Sequence, residues 1–135
     1  MAVRSRVQSG AIVQIIGPVV DVRFEGALPD IHEALFVAKG GLALEVQQHL
    51  GSGVVRAVAM SSTEGLERGR SVGRTKAPIS VPVGKPVLGR MFNVLGEPID
   101  GKADPKAKTR WPIHRDSPDF TQQSTETEIF ETGIK

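Results

Sequence analysis

The sequence predicts a small all-β barrel or sandwich that is followed by an extended, proline-rich segment. From residue 10 to about residue 83, short apolar runs alternate with glycine-containing turns, at the spacing of roughly 8 to 12 residues that is typical of small all-β domains. Seven of the nine prolines lie between Pro78 and Phe120, and this density disfavours both helices and central strands. The 135 residues allow one domain, or one small domain and part of another.

The first two predicted strands are joined by a glycine-proline pair. GAIVQIIG at 10–17 is the first strand, and PVVDVRF at 18–24 is the second. In the second strand the apolar side chains alternate with Asp21 and Arg23, which predicts one buried face and one exposed face. The glycine-proline pair fits a kink or a barrel corner, and EGALPD after the second strand fits a loop.

A two-glycine turn predicts a hairpin in the next unit. Gly40 and Gly41 separate the runs ALFVAK and LALEVQQHL, and tight hairpins require the positive backbone dihedrals that glycine adopts without strain. In the second run the leucine and valine side chains are expected to face inward. Glu45 and Gln47 are expected to face outward.

The barrel is predicted to be completed by residues 51–83. A Gly-Ser-Gly turn at 51–53 leads into VVRAVAM, which is rich in β-branched residues. The turn-rich linker at 61–69 has room for one helical turn. SVGRT at 71–75 and PISVPV at 78–83 are then expected to supply the closing strand or strands.

The remaining residues predict little regular structure. VLGRMFNVLGEPID at 87–100 is an apolar island that fits either a short strand or a helical turn, and a polar stretch follows it to residue 110. TETEIFETGIK at 125–135 fits the beginning of a helix without a C-terminal signal. We therefore interpret the chain as truncated.

Composition excludes several classes of function. The absence of cysteine excludes disulfides, thiol catalysis and thiolate metal sites. The 17 basic and 15 acidic residues give a formal charge of only +2, and one Trp, five Phe and no Tyr provide few platforms for base stacking, so nucleic-acid binding is disfavoured. No apolar stretch approaches the roughly 20 residues of a membrane span, and no signal peptide is recognisable, which favours a cytoplasm-like compartment.

No phosphate-binding loop is found. Gly73-Arg74-Thr75 and Gly84-Lys85-Pro86 come closest to a Walker A loop, but each lacks its upstream glycine. Gly51-Ser52-Gly53 opens a dinucleotide-like pattern but has arginine in place of the third glycine and precedes a strand. All three are interpreted as ordinary turns.

Scattered polar residues do not predict a catalytic or metal site either. The three histidines, His32, His49 and His114, lack close spacing, so surface or packing roles are expected. The basic run is interpreted as a solvated loop; it comprises Lys102, Lys106, Lys108 and Arg110. The acidic run is interpreted as the start of a helix; it comprises Glu126, Glu128 and Glu131. We therefore predict no catalytic, cofactor-binding or metal-binding residue.

Five ordered blocks resemble the beta subunit of F-type ATP synthases. They are GAIVQIIGPVVDVRF at 10–24, LEVQQHLGSGVVRAVAMSSTEGLERG at 44–69, PISVPVGKPVLGRMFNVLGEPID at 78–100, PIHRDSPDF at 112–120 and ETGIK at 131–135. The resemblance implies a six-stranded closed β-barrel at 10–82 after a flexible terminus at 1–9. Residues 83–135 would be the incomplete start of an α/β nucleotide-binding domain.

The same resemblance implies an assembly role at the cytoplasmic face of the bacterial plasma membrane, in peripheral association. Barrels of alternating alpha and beta subunits hold the catalytic hexamer together, around a gamma subunit in the intact enzyme. The complete subunit would bind ADP or ATP with Mg²⁺ and make ATP, but its Walker A loop and catalytic residues would follow Lys135, so this fragment is expected to be inactive alone. Residues 101–130 would lie against that catalytic domain, and so are expected to be mobile or held only by neighbouring molecules.

One segment departs from the pattern. Where the family commonly has Asp-Thr-Gly, this chain has Arg74-Thr75-Lys76, which replaces a turn glycine and adds two positive charges at a surface that could face a neighbour. The alternatives are the equivalent barrel of a flagellar or secretion-type hexameric ATPase and a nucleic-acid-binding barrel. GPVVDV and FNVLGEPID favour the beta subunit over the first alternative.

Overall fold

The structure, a computed structural model, describes residues 9–38, 41–127, 129 and 131–133. Six strands build the main sheet: β1 (Ser9–Ile16), β2 (Val19–Phe24), β3 (Glu33–Val37), β4 (Ala43–Gly51), β5 (Val54–Ala59) and β6 (Ser71–Pro78). The elements after it are β7 (Ser80–Val83), a 3-10 turn (Lys85–Val87), β8 (Thr109–Pro112) and a second 3-10 turn (Phe120–Gln122). Among the described residues, no helix has the length and apolar character needed to cross a membrane.

The six main strands close into an antiparallel barrel in the order β1-β2-β5-β4-β3-β6. The predicted all-β class and the closed six-stranded barrel are confirmed. Gly17, with φ of +55°, turns the chain between β1 and β2, and Gly53, with φ of +76°, leads from β4 into β5. The β3-β4 hairpin is present as predicted, although Gly40 of its turn lies outside the described residues.

The barrel interior is filled by the inward-facing side chains of all six strands. Leu35, Leu44 and Val72 are completely buried there. The other members of the core are Ile12, Val20, Val22, Phe24, Val37, Val46, Val55 and Ala57. Each strand thus contributes to one contiguous apolar cluster, which is the packing that alternating sequences are expected to produce.

Two carboxylates that the sequence predicts on the exposed face are buried instead. Asp21 is 5% exposed and Glu45 is 2% exposed, because long polar side chains from neighbouring segments cover them on the outside of the barrel. Alternation indicated correctly which side of the strand each residue occupies, but not that side chains would cover that side. Gln47 is exposed as predicted.

The proline-rich segment leaves the barrel earlier than predicted. β6 alone closes the barrel, whereas residues 80–83 pair with β8 in a separate two-stranded ladder, so PISVPV is not a barrel strand. The domain boundary at residue 82 stays a prediction. No α-helix occurs among the described residues of the 61–69 linker or of the 125–135 segment, which contradicts the helical turns expected there.

The expectation that residues 101–130 lack contacts within their own chain is wrong for part of the segment. β8 pairs with β7, and His114 reaches Glu45 of the barrel. Trp111 does not join the barrel core, since it is 47% exposed and packs beneath Arg115, whose guanidinium lies 3.8 Å from the ring centroid. Phe120 is 87% exposed. The segment therefore contacts earlier residues of the chain at residues 109–114 and also at Ala103, whose carbonyl oxygen accepts a hydrogen bond from Arg90.

We predict that a shortened chain ending at Val81 unfolds cooperatively. It retains all six barrel strands and the buried Ile79, so it keeps a complete core, although a domain of this size is only marginally stable. Far-UV circular dichroism during urea unfolding is the suitable measurement, because the only Trp is removed and the chain has no Tyr. A broad transition without a sigmoidal midpoint would contradict the prediction.

Candidate functional site

The closing strand is anchored to β3 by a buried ion pair. The guanidinium of Arg74 donates two hydrogen bonds to the carboxylate of Glu33, from Nε to Oε1 at 3.0 Å and from Nη2 to Oε2 at 2.7 Å. The side chains are only 9% and 2% exposed. Arg74 also donates to the carbonyl oxygen of Ala27 at 3.0 Å. The charge at Arg74 is therefore used within the barrel wall, which corrects the expectation that it faces a neighbour.

The pKa of Glu33 is set by opposing effects. Burial raises it, but the hydrogen bonds from Arg74 and from the backbone N–H groups of Asp30 and Lys76 outweigh burial, so the pKa lies below its ordinary value of 4.5. The hydrogen bonds that Arg74 donates to Glu33 raise the pKa of Arg74 in turn. Glu33 thus remains ionised in the folded barrel and fastens β6 by its charge.

Lys76 has a backbone conformation that favours glycine. Its φ is +58°, in the left-handed region where a β-carbon is unfavourable. The register between β3 and β6 shifts between Glu33 and Leu35, and the Lys76 N–H donates to Glu33 Oε1 at 3.0 Å. The resemblance predicts glycine at this position, and the positive φ explains why glycine is favoured there. In this chain an exposed lysine adopts the conformation instead.

A second ion pair crosses from β2 to β5 on the barrel wall. Nε and Nη2 of Arg56 each donate to one carboxylate oxygen of Asp21, both at 2.9 Å. The two residues are also register partners in the sheet. The hydrogen bonds that Arg56 donates to Asp21, together with the negative charge of Asp21, raise the pKa of Arg56. This pair explains why Asp21 is buried although it lies on the outer face.

The extension contains a third bidentate pair. Arg90 donates to Asp100 from Nε at 2.5 Å and from Nη2 at 3.1 Å, and to the carbonyl oxygen of Ala103 at 2.8 Å. These bonds hold the pKa of Asp100 well below its usual range. Asn93 Oδ1 accepts from the N–H groups of Leu95 and Glu97. The apolar island at 87–100 is therefore an ordered loop rather than a strand or a helix.

A third buried carboxylate, Glu45, gathers the two histidines that sequence spacing did not connect. His32 Nδ1 lies 3.1 Å and His114 Nε2 lies 2.5 Å from Glu45 Oε1. The imidazole rings stack with centroids 3.9 Å apart and an interplanar angle of 24°. Sequence reasoning missed this group because its members lie on three different elements. No local signal in the sequence could have brought them together.

The other predicted candidates are placed as follows. Gly73 lies within β6 and Gly84 precedes a 3-10 turn of three residues, so neither opens the helix that a phosphate loop requires. His49 lies on the surface, which is one of the two roles predicted for it, and its Nε2 lies 2.7 Å from the carbonyl oxygen of Pro29. The lysines of the basic run are exposed. Arg110 is also exposed, but it lies in β8 rather than in a loop and donates to the carbonyl oxygens of Ser80 and Leu95.

The acidic run is exposed where it is described. Glu126 and Glu131 are exposed and do not lie in a helix, so the expected helix dipole cannot explain them. Glu128 lies outside the described residues. Among the described residues, these carboxylates belong to no group of histidine and acidic side chains that could hold a metal ion.

Exposed apolar side chains are concentrated in the extension. Eight of the twelve large hydrophobic residues that are exposed in the described residues follow the barrel, against four on the barrel itself. The eight are Leu88, Met91, Val94, Ile99, Trp111, Ile113, Phe120 and Ile129. The four barrel residues are Ile16, Ile31, Phe36 and Leu50. Contiguous patches of exposed apolar side chains are typical of surfaces that meet other protein, so the extension is the part of the described chain in which such a surface is expected.

These features define a closed β-barrel module with an apolar extension and without a phosphate-binding loop. Residues 12–76 match the family model described as "ATP synthase alpha/beta family, beta-barrel domain". The match covers almost the whole barrel and just under half of the chain. The barrel of this protein is therefore similar to the barrel domain of the ATP synthase alpha/beta family.

We predict that Arg74→Met lowers the free energy of unfolding by about 2 to 3 kcal/mol, because it leaves the Glu33 carboxylate buried beside an apolar side chain. Urea unfolding at pH 7 measures the change. Arg68→Met removes an exposed guanidinium and is expected to stay within about 0.5 kcal/mol. Adding Glu33→Gln to Arg74→Met should recover part of the loss, since a neutral amide oxygen still accepts the Lys76 N–H. Equal effects of the two single arginine variants would contradict this account.

We predict that Lys76→Gly stabilises the barrel by up to about 1 kcal/mol. Relief of the left-handed strain gives roughly 1 to 2 kcal/mol, and the greater freedom of glycine in the unfolded chain offsets about 0.5 to 1 kcal/mol of it. Lys76→Ala is the matched control, because it removes the same side chain but keeps the β-carbon. A glycine variant that is no more stable than the alanine variant in thermal unfolding would show that Lys76 is not strained.

Proposed function

We propose that this chain is the amino-terminal barrel region of the beta subunit of an F-type ATP synthase. In that role the barrel holds alternating alpha and beta subunits together in the hexamer that makes ATP with energy from an ion gradient. Its partners are alpha subunits on both sides, with a gamma subunit in the intact enzyme. The association with the cytoplasmic side of the bacterial plasma membrane is peripheral and indirect.

The observation that carries this proposal is the closed six-stranded barrel, which coincides with the family match at 12–76. Assembly in a hexameric ATPase is the role that the family suggests for such a barrel. The choice of the beta subunit rests on the sequence blocks at 10–24 and 78–100. The apolar side chains exposed in the extension agree with a segment that is covered by further protein.

The equivalent barrel of a flagellar or secretion-type hexameric ATPase is the alternative, since the fold and the family match are compatible with it as well. A nucleic-acid-binding barrel is disfavoured by the residues themselves. The two arginines that pair with buried carboxylates, Arg56 and Arg74, are engaged within the barrel wall. The exposed lysines lie in the extension at 102–108, where Trp111 is the one aromatic residue within five positions along the sequence, so the sequence around them provides no row of rings for base stacking.

We predict that the 135-residue chain associates with the isolated alpha subunit of a bacterial F-type ATP synthase. Sedimentation velocity at micromolar concentrations measures the complex, with a flagellar-type ATPase as the competing partner. Ile16→Asp places a charge on the barrel at a side chain that is 57% exposed, and is expected to weaken association at least about tenfold. Lys102→Asp, at an exposed polar side chain in the extension, is the control. Association with the flagellar-type protein alone would support the alternative.

We also predict that the chain neither hydrolyses ATP nor binds Mg-ATP usefully. Phosphate affinity in such ATPases requires a glycine-rich loop that opens a helix, with a lysine, a hydroxyl and carboxylates arranged around the phosphates and Mg²⁺. Exposed lysines such as Lys102 attract anions only weakly at about 0.15 M salt, where the Debye length is about 8 Å. Calorimetric titration under these conditions tests this. Saturable binding with a Kd below roughly 0.1 mM, which corresponds to a binding free energy of about −5.5 kcal/mol, would reveal a site not recognised in the sequence.

A further inference from the structure

The histidine–glutamate cluster combines ligand groups from three separate segments. His32 lies in the turn before β3, Glu45 lies on β4, and His114 follows β8. Their nearest nitrogen and oxygen atoms all lie within 4.8 Å of one another. The cluster joins the barrel to the extension, and it has no part in the proposed assembly role.

One oxygen of the Glu45 carboxylate, at the centre of the cluster, contacts three polar side chains. A single oxygen, Glu45 Oε1, faces both imidazoles and also accepts a hydrogen bond from Gln47 Nε2 at 3.1 Å. The Glu45 side chain is only 3% exposed. Its ion pairs are with histidines, which are charged only when protonated. A buried carboxylate beside two neutral imidazoles lacks a compensating positive charge, and such burial is costly.

The backbone holds one of the histidines in an uncommon conformation. His32 has a φ of +66°, and its N–H donates to the carbonyl oxygen of Val46 at 2.8 Å. Residues other than glycine adopt this region rarely, although histidine does so more readily than most. The conformation places the imidazole of His32 over Glu45, where it meets His114. The uncommon backbone conformation of His32 is therefore part of what brings its imidazole into the cluster with Glu45 and His114.

We infer that His32, Glu45 and His114 form a binding site for a divalent transition-metal ion of the zinc class. Two imidazole nitrogens and one carboxylate oxygen are a ligand set that Zn²⁺ accepts, with water in the remaining position. An open pocket of about 630 Å³, lined by both histidines and by Asp116, gives the ion and its water access. The ion supplies the positive charge next to Glu45 and ties the extension to the barrel.

Binding requires the two rings to separate. Zinc lies about 2.0 to 2.1 Å from each histidine nitrogen and close to the plane of each ring, a geometry that two stacked rings cannot provide together. The histidine side chains are 42% and 46% exposed, so they have room to rotate about their side-chain bonds. Loss of the ring stacking is therefore part of the binding reaction and gives it a spectroscopic signal.

The ligand types also determine which ions are excluded. Mg²⁺ prefers oxygen ligands in octahedral geometry, whereas imidazole suits Zn²⁺, Cu²⁺, Ni²⁺ and Co²⁺. Millimolar Mg²⁺ is therefore expected not to compete at this site. This preference separates the site from nucleotide-associated magnesium chemistry.

Calorimetric titration of the 135-residue chain with Zn²⁺ at pH 7.5, after treatment with a chelator, tests the inference. We expect one saturable site, which is unchanged by millimolar Mg²⁺ and weakened at least about tenfold by His114→Gln, Glu45→Gln or His32→Asn. Asparagine is chosen at position 32 because it tolerates positive φ. His49→Gln, which removes the histidine outside the cluster, is the matched control and should bind as the natural sequence does.

Two further measurements distinguish loss of the zinc site from misfolding of a variant and from adventitious zinc binding elsewhere. Thermal unfolding without metal shows whether each variant is folded, and added Zn²⁺ should raise the midpoint only where the cluster is intact. Histidine side-chain NMR signals should shift for His32 and His114 and not for His49. The inference is overturned if no saturable binding occurs, or if His114→Gln and His49→Gln bind Zn²⁺ equally.

Discussion

Closure of the barrel depends on β6, which lies between β1 and β3 and pairs regularly with β1 but irregularly with β3. β6 must pair with β1 along one edge and with β3 along the other to close the barrel. The second pairing is irregular next to Glu33, and this is where the chain places a buried ion pair and a residue with positive φ. The bidentate contact of Arg74 with Glu33 fixes the end of β6 that the interrupted ladder leaves less well held.

The barrel wall contains three buried carboxylates, which have two kinds of partner. Asp21 and Glu33 have guanidinium partners, whose charge is permanent. Glu45 has two imidazoles, which are charged only when they are protonated. The first two pairs join strands within the barrel, whereas the third joins the barrel to the extension. Of the three contacts, the one between the barrel and the extension is therefore the one in which the charge of the partners can vary.

Much of the fold was predictable because each barrel strand has one clearly apolar face. Val20, Val22 and Phe24 alternate with polar residues, and burial of that face determines the register. The burial of Asp21 and Glu45 was not predictable, because it depends largely on side chains that reach them from distant parts of the chain. The path of residues 80–83 was also missed, since an apolar run next to prolines fits a barrel strand and a separate ladder equally well. The His32–Glu45–His114 cluster depends wholly on tertiary contact, so spacing along the chain could not reveal it.

The position of β6 in the sequence has a consequence for how the protein is made. Five barrel strands precede β6, and the edges of β1 and β3 have no partner until the chain has been synthesised to Pro78. The hairpins β1-β2, β3-β4 and β4-β5 need only local contacts, whereas closure by β6 is non-local and correspondingly slow. A nascent chain that pauses before residue 71 thus presents two open strand edges, which are templates for pairing with other chains. Rapid translation through residues 71–78 shortens the time for which a ribosome-bound barrel is open to aggregation.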